Sequence, residues 1–77
     1  MMLVPLHMLN SGESAEIAQL VGVPDHVQRL KELGIRAGER VEMVQPGSPC
    51  IIRLAGTRLC FRESDALGVL VKPESGS

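Results

Sequence analysis

The sequence predicts a mostly β fold, a small barrel of about five short strands with one short helix. Short apolar segments are separated by turn-forming residues at regular intervals, which is typical of β barrels and sandwiches. One segment, residues 24–33, instead spaces its apolar residues as a helix does. The 77 residues suffice for one domain. We expect it to span residues 1–77, with a core at about 9–72 and a polar tail at 73–77.

Three strands are predicted outside the hairpin described below. The segment AEIAQLVG follows the turn residues NSGES and predicts the first strand. Its apolar residues alternate imperfectly, which we attribute to partial burial of both faces. The segment RVEMVQ predicts a strand that begins after a turn at Gly38 and ends at PGSP, and DALGVLVKP predicts a short turn and the last strand.

The segment VPDHVQRLKELG predicts the helix. Asp25 is placed to cap its start, and Gln28 to reach back to it as in a capping box. One apolar stripe is expected to dock on the barrel: Val27, Leu30 and Leu33. Gly34 is expected to end the helix in a left-handed conformation, followed by a hydrophobic contact of Ile35. The polar residues are expected to face solvent: Asp25, His26, Arg29, Lys31 and Glu32.

Residues 50–64 predict a hairpin around Ala55 to Arg58, in which Gly56 can take the positive φ angle of a tight turn. A turn at Gly56 and Thr57 places residue 53 opposite residue 60 and residue 50 opposite residue 63. Cys50 and Cys60 are then offset by roughly 10 Å along the strands and form no disulfide. Side-chain alternation assigns one set to the core: Cys50, Ile52, Leu54, Leu59 and Phe61. The opposite set faces outward: Ile51, Arg53, Arg58, Cys60 and Arg62.

Composition argues against several functions. The formal net charge of −1 lacks the basic excess that general nucleic-acid binding or membrane-surface binding requires. His7 and His26 are the two histidines and no catalytic motif occurs, so we expect neither catalytic residues nor a cofactor. The histidines, the two cysteines and the four methionines lack ligand spacing, so no resident metal is expected.

The apolar opening MMLVPLHML is too short to span a bilayer and lacks the basic flank of a secretory signal. We therefore expect a cytoplasmic protein without membrane insertion. The strip of Arg53, Arg58 and Arg62 is favoured as a solvated face, because single-strand binding would also need stacking aromatics. It is the second candidate surface for a protein partner.

With these motifs placed, the chain resembles the FeoA family, the small cytoplasmic proteins of bacterial ferrous iron uptake. The resemblance runs from about Leu9 to Val71 and is most specific in RLKELGIRAGERVEMV, which resembles the family's arginine-leucine, leucine-glycine-(leucine or isoleucine), x-x-glycine pattern. The residues that carry this pattern are Arg29, Leu30, Leu33, Gly34, Ile35 and Gly38. GTRLCFRESDALGVLV resembles the family's closing hairpin, with Arg62 and Ala66 in the expected places. The family commonly has a longer loop where PGSP stands here, a departure that would change any partner contact made there.

The resemblance implies an SH3-like barrel and an adapter of FeoB, the membrane permease of ferrous iron, whose cytoplasmic part is a GTP-binding domain. It does not imply catalysis or a required metal. We expect the helix and the LGI joint after it to form one wall of the partner-binding surface. The candidate residues are Arg29, Leu30, Lys31, Leu33, Gly34 and Ile35.

Two alternatives stay open. The first alternative to the adapter is a free-standing barrel related to the C-terminal domain of metal-dependent transcriptional repressors. The second is a small metal-binding protein. A homo-oligomer and transient metal binding are compatible with the sequence. The sequence is compatible with stimulation or restraint of the permease, and with binding that does or does not depend on nucleotide.

Overall fold

The computed structural model describes residues 2–47 and 49–74. Within them, six strands form one antiparallel sheet in the order β1-β6-β2-β3-β4-β5. The strands are β1 Val4–Pro5, β2 Ser14–Leu20, β3 Arg40–Gln45, β4 Cys50–Leu54, β5 Thr57–Phe61 and β6 Val69–Pro73. The helices are α1 Pro24–Glu32 and α2 Glu63–Ala66, with a 3-10 turn at Leu6–Met8. The mostly β prediction is confirmed.

Two elements lie where the sequence predicted none. Strand β1 is only two residues long and pairs Val4 with Val71 and Pro5 with Leu70, so it is too short to show alternation. Leu6 follows it and is fully buried, so packed structure begins before residue 9. Helix α2 is a single turn that spans the end of the segment predicted as a hairpin and the start of the predicted turn. Of the polar tail predicted at 73–77, residues 75–77 lie outside the described residues.

The core lies on one face of the sheet and obeys side-chain alternation. Its buried residues are Leu6, Leu9, Ala15, Ile17, Leu30, Ile35, Val41, Met43, Cys50, Ile52, Leu54, Phe61, Ala66, Val69 and Val71. No charged or polar residue among the described ones is buried. The hydrophobic effect therefore drives folding without the cost of desolvating a charge.

Irregular alternation in the first strand has another cause than the one predicted. The pairing of β2 with β6 shifts between Ile17 and Gln19, so Ala18 is a bulge and is exposed. A bulge inserts one residue into a strand and moves the following side chains to the other face. The expectation of burial on both faces is therefore wrong.

The β4–β5 hairpin has a tighter turn than predicted. Leu54 pairs with Thr57, and Arg53 with Arg58, so the loop is Ala55 and Gly56, with φ angles of 51° and 81°. Two positive φ angles are typical of the two-residue turn that matches strand twist. The predicted register is wrong by two residues because Ala55, which carries a side chain, adopts the left-handed conformation.

The two-residue shift preserves the faces. Cys50 is buried and Cys60 is exposed, and neither forms a disulfide. Cys60 lies opposite Ile51, next to Cys50 along the hairpin and not roughly 10 Å away as the predicted register implied. The side chains of the two cysteines lie on opposite faces of the sheet, so the hairpin still forms no disulfide.

Helix α1 begins differently from the prediction. Val23 is the N-cap residue and no side chain caps it, while Pro24 occupies the first turn. Proline suits this position because its fixed φ angle is helical and its missing N–H would have had no helical partner. The capping box of Asp25 and Gln28 is therefore wrong. Asp25 still lies in the first turn, where its charge interacts favourably with the helix dipole.

The predicted end of α1 is confirmed. The Gly34 amide donates to the Lys31 carbonyl at 3.0 Å and the Ile35 amide to the Leu30 carbonyl at 3.0 Å, which is the Schellman pattern. Gly34 has a φ angle of 97°. Leu30 and Ile35 are buried at 2% and 0% exposure, whereas Leu33 is 46% exposed. The docking stripe is thus narrower than predicted.

Truncation of Leu30 and Leu33 should separate core from surface. Leu30→Ala should lower the free energy of unfolding by about 2–5 kcal/mol, because it leaves a cavity under the helix. Leu33→Ala should lower it by less than about 1 kcal/mol, because Leu33 is half-exposed. Chemical denaturation of the two variants measures both values. Equal losses would contradict the placement of α1.

Candidate partner-binding surfaces

The first candidate surface lies at the C-terminal end of α1. Arg29 and Lys31 are exposed and Leu33 is half-exposed, whereas Leu30 and Ile35 are core residues. Gly34 is half-buried, and a Cβ atom added there would lie 3.4 Å from Leu54 Cδ2. The buried residues Leu30 and Ile35 therefore support the surface from the core. A partner could reach only the side chains of Arg29, Lys31 and Leu33.

Arg36 adds a third cation to this surface. Its Nε donates to the Lys31 carbonyl at 3.4 Å, which also accepts from the Gly34 amide at the end of the helix. Arg29, Lys31 and Arg36 thus surround the negative end of the helix dipole, which stabilises positive charge there. None of the three forms an ion pair with a described side chain. We name Arg29, Lys31, Leu33 and Arg36 the helix-end surface.

The other end of α1 is tied to α2. His26 Nε2 lies 3.5 Å from Asp65 Oδ1, with the two side chains 28% and 31% exposed. The expectation that His26 faces solvent is therefore wrong. The pairing joins residues far apart in the sequence, on a helix that the pattern did not predict, so no local signal could have revealed it.

Near this contact, the segment after β2 packs closely against the segment before β6. The Val21 amide donates to the Gly68 carbonyl at 2.8 Å, and a Cβ atom at Gly68 would lie only 2.6 Å from the Val21 carbonyl oxygen. Residue 68 must therefore be glycine for the backbone segments at Val21 and Gly68 to approach so closely. Val23 and Leu67, which flank this contact, are exposed.

The second candidate surface is a row across three strands. Glu42 pairs in register with Arg53, and Arg53 with Arg58. Arg53 Nη1 lies 3.1 Å from Glu42 Oε1. Arg58 and Arg62 are exposed and form no ion pair with a described side chain. Arg53 and Arg58 therefore share one outer face, and Arg62 lies just beyond the end of β5. Of the three, only Arg53 is neutralised by a described side chain.

An open cleft borders this row. It has a volume of about 230 Å³ and is lined by Ser14, Arg40, Val41, Glu42, Arg53, Ala55 and Gly56. Its two arginines already have carboxylate partners, because Arg40 Nη2 lies 2.9 Å from Glu74 Oε1. The cleft is polar and balanced in charge, which does not favour a specific small-molecule site.

Metal-ligating residues do not converge. In the part of the chain that the structure describes, no three side chains of His, Cys, Asp or Glu are placed to hold a metal ion. His7 Nδ1 is buried and has no hydrogen-bond partner within that part. Across residues 2–47 and 49–74, no helix has the length and apolar character needed to cross a membrane.

Comparison with known proteins points to one family. The FeoA domain model matches residues 4–73. The FeoA protein of Stenotrophomonas maltophilia, solved in complex with zinc and described as an SH3 domain protein, is 32% identical with a TM-score of 0.77, covering 94% of this chain and 91% of that chain. FeoA from Chlorobium tepidum is 27% identical with a TM-score of 0.84, covering 96% of this chain and 73% of that chain. No curated protein sequence matches significantly.

Other proteins are also similar in fold, among them a manganese-dependent transcriptional repressor with a TM-score of 0.84 at 12% identity, covering 94% of this chain and 42% of that chain. IdeR of T. acidophilum has a TM-score of 0.87 at 15% identity, covering 96% of this chain and 35% of that chain. At this identity the likeness concerns the fold alone. The barrel is thus shared between two groups of proteins, and the fold by itself does not assign the function.

Thiol reactivity should report the hairpin faces. In the native protein a thiol reagent should modify Cys60 rapidly and Cys50 only as fast as the protein opens, because access limits the reaction. Cys60→Ala should remove the rapid phase and Cys50→Ala should leave it intact. Stopped-flow absorbance measures both phases. Rapid modification of Cys50 in the folded protein would contradict the observed faces of the hairpin.

Proposed function

Because the chain belongs to the FeoA domain family, which has a role in ferrous iron transport, we propose that it is a non-catalytic cytoplasmic adapter that binds the cytoplasmic GTP-binding part of a FeoB-type permease and modulates transport. The observation that carries the contact is the helix-end surface. It presents a half-exposed leucine and three cations that form no ion pair with a described side chain. Exposed charges of one sign speed association with an acidic partner.

The way in which α1 is held on the barrel supports this proposal. A nine-residue helix is too short to be stable alone in water, and a small barrel can be closed by loops. The Schellman turn fixes the end of α1 before any partner arrives, so less conformational entropy is lost on binding. Leu33 supplies apolar area beside the cations, a composition that resembles interface anchors.

The relatives support the same role. The Stenotrophomonas maltophilia FeoA is suggested to act as an activating factor of bacterial ferrous iron transport. Its bound zinc belongs to that protein, and the described residues here do not assemble a comparable ligand cluster. We therefore assign this chain a contact function and not a carrier function.

The repressor-like alternative rests on fold alone. The chain covers 35% of the T. acidophilum repressor, and its net charge of −1 is poorly suited to contacts with phosphates. Titration with duplex DNA at low salt distinguishes the two functions. Salt-dependent DNA binding, with no binding to the permease part, would favour the alternative.

Charge reversal on the helix-end surface tests the adapter directly. Arg29→Glu with Lys31→Glu should weaken binding to the purified cytoplasmic part of the permease at least tenfold, about 1.4 kcal/mol. Thermal unfolding should stay within a few degrees of wild type, because both side chains are exposed. Isothermal titration with and without guanine nucleotide gives the affinities.

The matched control for this experiment is Arg58→Glu, which reverses an exposed charge on the second candidate surface. It should leave this affinity unchanged if the permease part contacts α1. An unchanged affinity in the double variant would mean that α1 only closes the barrel and does not contact the permease. The absence of any binding at high micromolar concentration would contradict the adapter function itself.

Elemental analysis tests the metal-binding alternative. Protein purified without chelator should carry no stoichiometric iron or zinc, because its histidines and cysteines are not clustered among the described residues. The sequence-derived candidates for ligands are Cys60 and His26. One equivalent of metal per chain, lost on replacement of either residue, would restore the carrier hypothesis.

A further inference from the structure

Strand β5 is an edge of the sheet. In the strand order it has β4 on one side and, among the described residues, no strand on the other. The two-residue loop makes Leu54 and Thr57 a hydrogen-bonded pair, and such pairs alternate with non-bonded pairs along an antiparallel hairpin. Arg58 and Cys60 therefore occupy non-bonded positions, where the backbone N–H and C=O groups are directed away from β4.

Among the described residues, these backbone groups have no other partner. None of the backbone hydrogen bonds outside helices and strands involves Arg58 or Cys60 within the described residues, and both residues are exposed. An edge of this kind is a template for one more strand, and proteins use it to bind extended peptides. Natural edges are often protected by charged side chains, and here Arg58 is that charge.

Arg58 also leaves the outer row electrostatically incomplete. Directly opposed residues in a non-bonded pair are close, so Arg53 and Arg58 repel each other. Glu42 neutralises Arg53 from the other side at 3.1 Å, but no described side chain neutralises Arg58. A carboxylate on the next strand of the row would complete the alternation of charges.

The same charge bears on pairing with a second copy of the chain. Antiparallel pairing of β5 with itself centred on residue 58 places Arg58 opposite Arg58 of the copy, and centring on residue 60 continues the pairing to Arg58 opposite Arg62. Like charges in directly opposed positions destabilise a sheet. Centring on residue 59 instead places Arg58 opposite Cys60 and leaves Arg58 without a carboxylate, which an acidic segment supplies.

We propose that β5 is the docking edge for an extended acidic segment of a partner protein, which adds to the sheet as a further strand. The N–H and C=O groups of Arg58 and Cys60 pair with its backbone, and Arg58 binds a carboxylate on its outer face. This inference does not depend on the identity of the partner and concerns a surface separate from the helix-end surface. It converts the predicted arginine strip from a solvated face into a recognition element.

Peptide titration tests the proposal with the full chain. The probe is a synthetic peptide of alternating threonine and glutamate, and its control replaces glutamate with lysine. In nitrogen-15 spectra the amide signals of Arg58 and Cys60 should shift saturably with the acidic peptide and not with the basic one. Arg58→Glu should weaken binding of the acidic peptide at least tenfold and enable binding of the basic peptide.

A proline substitution separates strand addition from simple charge attraction. Cys60→Pro removes one N–H that faces the free edge and leaves the bonds to β4 intact, since proline is tolerated on that side of an edge strand. It should abolish binding of the acidic peptide while its unfolding temperature stays near that of the Cys60→Ala control, which should bind normally. If the proline variant does not fold, hydrogen exchange of the wild-type protein tests strand addition instead: the Arg58 and Cys60 amides should be protected when the acidic peptide is bound.

Three results would overturn the proposal. The first is no saturable shift at Arg58 and Cys60 with millimolar acidic peptide. The second is undiminished peptide binding by folded Cys60→Pro, which would mean attraction without strand addition. The third is concentration-dependent shifts along β5 in the absence of peptide, which would assign the edge to a second copy of the chain.

Discussion

The hydrogen bond from the Ile35 amide to the Leu30 carbonyl, 3.0 Å long, determines what α1 can present to a partner. It closes the helix through Gly34, whose φ angle of 97° is strained for a residue with a side chain, and it keeps Leu30 and Ile35 together in the core. Once those two residues are buried, Arg29 and Lys31 must lie on the outside, because neighbouring helical positions point in different directions. The charged surface is thus a consequence of the way in which the helix ends.

The SH3-like barrel adds a second constraint, the alternation of its strands. Burial of Ile52 and Leu54 on the inner face fixes Arg53 on the outer face, and the register then places Arg58 beside it at the sheet edge. The two candidate surfaces differ in kind. The helix end offers side chains alone, whereas β5 also offers backbone groups, so the first suits a folded partner surface and the second an extended segment.

Local chemistry made much of this arrangement predictable. The Gly34–Ile35 helix stop, the faces of the β4–β5 hairpin and the family pattern around them follow from residue types at fixed spacing. The misses have local or long-range causes. Ala55 takes a positive φ angle for which alanine gives no signal, and the bulge at Ala18 is decided by pairing with β6. Pro24 displaced the expected Asp25 cap. The contact of His26 with Asp65 depends on α2, whose single turn is too short to predict from periodicity.

The central claim is that this chain acts on ferrous iron transport through a protein contact made by the helix-end surface. The most direct measurement is the initial rate of ferrous iron uptake in cells that carry the permease and lack this chain, after supply of wild-type protein or of the folded Arg29→Glu, Lys31→Glu variant at equal abundance. The account predicts that wild-type protein changes the uptake rate and that the variant does not. An uptake rate that is the same with wild-type protein, with the variant and with neither would contradict it.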